Sequence, residues 1–91
     1  MDRLDRCEKI EQKLVADFSP QSIEVIDQSH HHVGHAGAQS GGGHFDVNIV
    51  AKSFKGRNQV ARHRMIYAAL SDMIPAEIHA LSIKAHTPDE L

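Results

Sequence analysis

Ninety-one residues, 41% hydrophobic and 24% charged, make one domain over residues 1–91 with a single modest core. This composition excludes two cores, and it excludes disorder over most of the length. The net charge of −2 argues against strong polyanion binding by the chain as a whole, and the single Cys7 excludes an internal disulfide and any purely cysteine-held zinc or iron–sulfur site.

The opening stretch MDRLDRCEKIEQKLVADFS places Leu4, Cys7, Ile10, Leu14 and Phe18 at steps of three and four, the apolar stripe of an amphipathic helix. Ser19-Pro20 ends it. Cys7 lies within the stripe and reads as a small core residue rather than a redox group. The acids Asp2, Asp5, Glu8, Glu11 and Asp17 are what a targeting leader avoids, and no apolar run reaches membrane-spanning length. A reducing, cytoplasmic setting is therefore expected.

SIEVIDQ alternates and is rich in β-branched residues, predicting a strand over Ser22–Gln28. HFDVNIVA alternates more cleanly, with Phe45, Val47 and Ile49 on one face of a second strand. Residues 29–43 between them hold five of the six glycines and read as a long loop, too long for a tight hairpin. Its SHHHVGHAG segment carries His30, His31, His32 and His35, four of the eight histidines of the chain. Imidazole is a good transition-metal ligand, but three consecutive histidines cannot all face one point, so some are solvated. Gly34-His35-Ala36-Gly37 fits the G-x-x-G pattern of nucleic-acid-binding KH loops, yet it lies between strands rather than helices.

The basic residues gather further on. Residues 47–71 contain Lys52, Lys55, Arg57, Arg62 and Arg64 with no acid, whereas the segments on either side are net acidic. Within this block, NQVARHRMIYAALSDMI predicts a helix capped by Asn58 and stopped by Pro75, with Val60, Ile66, Tyr67, Leu70, Met73 and Ile74 near helical spacing. His63 falls in the same arc. It is either a partly buried histidine bonded to backbone or a rim histidine aimed at the loop, and spacing does not separate the two. A brief turn or helical turn leads to a final strand at Leu81–His86, and 87–91 read as a polar tail. The order is that of a small α+β domain, α-β-β-α-(α)-β, with helices covering one face of a three-stranded mixed sheet.

No G-x-S-x-G, P-loop, H-E-x-x-H or C-x-x-C occurs, so a non-enzymatic role is expected. In FKGRNQVARHRMIYAAL, Phe54, Gly56, Val60, Arg62, His63, Arg64 and Tyr67 resemble the signature of the BolA-like proteins. The resemblance extends upstream through SHHHVGHAG and HFDVNIV and downstream through EIHALSIKAHTP, covering nearly the whole chain. It implies a fold similar to the second KH class. It also implies pairing with a monothiol glutaredoxin bearing a C-G-F-S site, and a bridged 2Fe–2S cluster used in iron–sulfur trafficking or iron and stress signalling. The family's ligands would fall on His63 and His35, with His32 or His31 as substitutes, while the glutaredoxin cysteine and glutathione hold the other iron. Lys55, Arg57, Arg62 and Arg64 would form the docking rim, and the chain alone would be a monomer or weak homodimer without cofactor. The alternative implied by the same family is a DNA-binding transcriptional regulator of stress response and cell morphology, with those four cations on phosphates. Zinc binding by the histidine loop alone is a third reading.

Overall fold

In a computed structural model, residues 5–28 and 43–91 are described. The first helix, α1 (Arg6–Phe18), starts where Asp5 is extended and its carboxylate accepts the Glu8 N–H at 2.8 Å. That contact satisfies one of the amides a helix start leaves without a partner, and Glu8 complements the positive end of the helix dipole. Ile10, Leu14 and Phe18 are buried, so the stripe read from the sequence is the core face. Leu4 lies outside the described residues. The helix closes at Ser19, in the left-handed region (φ 46°, ψ 56°), whose N–H donates to the Val15 carbonyl at 3.0 Å.

Strand β1 (Ser22–Asp27) pairs antiparallel with β2 (Gly43–Val50), from Ser22↔Val50 to Asp27↔Phe45. Strand β3 (Ile78–His86) pairs parallel with β2, which makes β2 the middle strand. Its alternation has a physical outlet: Phe45, Val47 and Ile49 face the helices and are buried, while His44, Asp46 and Asn48 line the open face. On that open face Asn48 donates to Glu24 at 3.1 Å and the His44 ring meets the Ser82 hydroxyl at 3.3 Å. The parallel β2–β3 pair needs a crossover, supplied by a 3-10 turn (Lys52–Phe54) and the second helix, α2 (Gln59–Ala69). Phe54 from the turn packs in a tilted arrangement against Phe18 from α1, ring centroids 5.2 Å apart, and with Ile66, Leu70 and Met73 completes the core. The expected α+β order and three-stranded mixed sheet are those observed.

Three details differ from expectation. The second helix stops at Ala69, and residues 70–77 are turns rather than further helix. Ser71 and Asp72 stand there, short polar residues that compete for backbone bonds, and Asp72 is drawn to Lys13 on α1 at 2.6 Å. Strand β3 begins at Ile78, three residues before the expected start. Gly43 pairs with Ile78 but His44 pairs with Ala80, an irregularity that skips His79. Ile78 and Leu81 thereby both reach the core, and the alternation visible from Leu81 onward is out of step with Ile78. Finally, the polar tail is not loose. Residues Pro88–Glu90 form a 3-10 turn closed by a Thr87/Glu90 capping box, with Thr87 buried.

Candidate docking and ligand site on the second helix

The approach to α2 is set by two backbone choices. Gly56 takes φ 78°, a left-handed conformation in which a side chain is strained although nothing would touch its Cβ. Asn58 then caps the helix, its Oδ1 accepting the Ala61 N–H at 2.8 Å, as its position in the sequence predicts. Lys55, Arg57 and Arg64 are exposed around this start.

Arg62 is not part of that rim, which corrects the sequence reading. It is 4% exposed and lies on the inward side of α2 one turn before Ile66. Its Nη1 and Nη2 donate to the Glu90 carboxylate at 2.7 and 2.8 Å, and Nη1 also donates to the Ala85 carbonyl at 2.9 Å. The guanidinium carbon sits 5.9 Å from the Phe54 ring centroid. This bidentate grip holds the Arg62 guanidinium above its ordinary value and the Glu90 carboxyl far below its own, at about 2, helped by the Thr87 N–H. The cause of the misreading is distance in sequence: the acid that permits an arginine inside is 28 residues away.

With Arg62 turned in, the outward face of α2 carries Val60, His63, Arg64 and Tyr67, at helical steps of three and four. Val60 is 59% exposed and Tyr67 41%, so these two are not the core residues their hydrophobicity suggested. The Tyr67 hydroxyl donates to the Leu81 carbonyl at 3.3 Å, which fixes the ring along the outer side of β3. His63 is half-buried in this patch, and among the described residues no hydrogen bond or ion pair engages its ring. The backbone-bonded alternative is therefore not the one found among the described residues, and the loop that the other alternative invokes lies outside them. An imidazole with packed carbon and uncommitted nitrogen is suited to ligation.

His35, His31 and His32 lie outside the described residues. The described chain leaves at Gln28, whose N–H donates to the His44 carbonyl at 2.7 Å, and resumes at Gly43, which pairs with Ile78. Helix α2 runs against β3, Arg62 meeting Ala85 and Tyr67 meeting Leu81, so it descends toward the sheet end where the loop begins and ends. Cys7 is half-buried and packs against the core from α1. Burial, and then the carboxylates of Asp27, Asp5, Glu11 and Glu8, push its thiol pKa up. Among the described residues, no three His, Cys, Asp or Glu side chains converge as a metal site.

The sequence profile described as BolA-like protein matches residues 14–90. An uncharacterized protein of Sinorhizobium is 42% identical over 85 residues, covering 91% of each chain. The DNA-binding transcriptional regulator BolA of Escherichia coli is 41% identical over 83 residues, 91% of this chain and 76% of its own. Among solved structures, the BolA domain of SufE1 from Arabidopsis thaliana superposes with a TM-score of 0.85 at 39% identity, covering 99% of this chain and 100% of that domain. The whole SufE-like protein 1 of that plant is much longer, and this chain spans 24% of it. With the profile, the sequence relatives and the superposed fold in agreement, the chain belongs to the BolA-like protein family.

Proposed function

We propose that this protein is a non-enzymatic adaptor that pairs with a monothiol C-G-F-S glutaredoxin and shares a 2Fe–2S cluster with it. The observation that carries the reading is His63, a half-buried imidazole with no bond to its ring among the described residues, set in a partly apolar, exposed helix face. Val60 and Tyr67 supply contact area for a protein partner, and Arg64, Lys55 and Arg57 rim it with positive charge. The one cysteine of this chain, Cys7, packs against the core, so the thiolate ligands would come from the partner and glutathione, and this chain would supply His63 together with His35, or His32 or His31 in its stead. Histidine ligation in place of thiolate raises the cluster's reduction potential and makes ligation sensitive to protonation. A reducing compartment such as the cytoplasm suits such a partner, and among the described residues no helix is long and apolar enough to cross a membrane.

Co-expression with a C-G-F-S glutaredoxin tests this. The expected product is a coloured one-to-one complex containing iron and sulfide, and a colourless mixture that elutes as separate proteins would contradict it.

A second reading is favoured by the relative that is named a DNA-binding transcriptional regulator, 41% identical to this chain. Here Lys55, Arg57 and Arg64 would meet phosphates, without Arg62, whose charge is spent on Glu90. Each lost phosphate contact should lower the salt slope by about one. A duplex that binds equally well after replacement of all three cations by alanine would dismiss this reading.

A further inference from the structure

The first turn and a half of α2 is attached without apolar anchors. From Gln59 to Arg64 no hydrophobic side chain belongs to the core; hydrophobic anchoring starts at Met65 and Ile66. Polar contacts hold the segment instead. Gln59 Nε2 donates to the Ala85 carbonyl at 3.2 Å, and Arg62 Nη1 donates to the same oxygen at 2.9 Å. Glu90 grips both terminal nitrogens of Arg62 and is itself held by the Thr87 N–H at 2.9 Å. His63 follows Arg62 directly, so its backbone rides on this attachment.

From this we infer that Glu90 is a positioning residue for the His63 patch: through Arg62 it fixes the part of α2 that presents Val60, His63 and Arg64. The inference deepens the proposed function and rests on it for the claim that the patch meets a partner. Its physical basis is the cost of a buried cation without a counter-ion. Arg62 Nε is already buried with no acceptor among the described residues. Without Glu90, one bond to the Ala85 carbonyl is left for an unneutralised charge. The side chain then turns to water, and the helix start frays back to Ile66, carrying His63 with it. The core makes no use of Glu90, so the fold persists.

Amide hydrogen exchange on the whole chain tests this, in the wild type, Glu90→Ala and Glu90→Gln. In Glu90→Ala the amides of Arg62, His63 and Arg64 should exchange at least about tenfold faster while those of Leu70 and β2 change less than about threefold, as loss of charge-assisted bonds at one end of a helix requires. Glu90→Gln keeps an acceptor for Arg62 and for the Thr87 N–H and should restore part of the protection. Ile10→Val, a core change remote from the clasp, should quicken exchange without favouring residues 62–64. In the glutaredoxin complex, Glu90→Ala should alter the visible circular dichroism and Glu90→Gln should recover part of it. Exchange at 62–64 that is unchanged, or raised no more than at Leu70 and in β2, overturns the assignment of Glu90. A complex whose spectrum ignores His63 itself would instead sink the proposed function and leave the exchange result standing.

Discussion

Arg62 and Arg64 flank the same histidine, yet one guanidinium is buried on Glu90 and the other stands in water. Their substitutions should therefore differ sharply. Arg62→Met removes one of the two side-chain donors to the Ala85 carbonyl and releases Glu90, and should cost about 2–3 kcal/mol in urea unfolding. Arg64→Met should stay within about 0.5 kcal/mol, as exposed substitutions do. Equal losses would contradict the division of roles. The clasp also has a defined acid limb. Its Glu90 pKa is depressed to about 2 from an ordinary 4.5, so its contribution to stability is complete above the unfolded value and is lost as pH falls from there through about 2. Urea unfolding of the wild type and Glu90→Gln should accordingly differ at pH 7 and converge toward pH 2. A difference that persists undiminished at pH 2 would mean that the carboxylate charge is not the stabilising element.

The elements were legible in the sequence to the extent that their stabilising contacts are local. The α1 stripe of Ile10, Leu14 and Phe18 and the β2 face of Phe45, Val47 and Ile49 are buried as their periodicity requires, because each apolar side chain there meets the core directly. Helix α2 was legible in its existence and its Asn58 cap, but its faces were not. An arginine occupies an inward position through a partner 28 residues away, and Val60 and Tyr67 face outward. Hydrophobic residues then stand on the exposed face of the helix as well as in the core, and spacing alone cannot sort them. The irregularity at His79 hid the start of β3 for a similar reason, since it shifts the alternation by one residue. The entry to α2 should be sensitive to two small changes. Asn58→Ala should cost about 1 kcal/mol through the lost cap, and Gly56→Ala about 1–2 kcal/mol through its positive φ. Thermal unfolding reads both, and a neutral Gly56→Ala would show that the turn relaxes out of the left-handed region.

At the scale of the whole molecule, the helices lie on one face of the sheet and the crossover from β2 to β3 sets α2 beside the edge strand, where its outer face is open. The position of His63 on that face, which the sequence left undecided, follows from the inward turn of Arg62: one helical step places the next residue at the rim. The histidine proposed as second ligand, His35 with His32 and His31 as substitutes, falls outside the described residues, so its assignment rests on the family resemblance of the sequence. The measurement that bears most directly on the shared-cluster account is the visible circular dichroism of the complex with a C-G-F-S glutaredoxin, taken for the wild type and for His63→Ala. The account predicts a cluster spectrum that His63→Ala reshapes or abolishes while the variant keeps its fold. An identical spectrum for both proteins would contradict it.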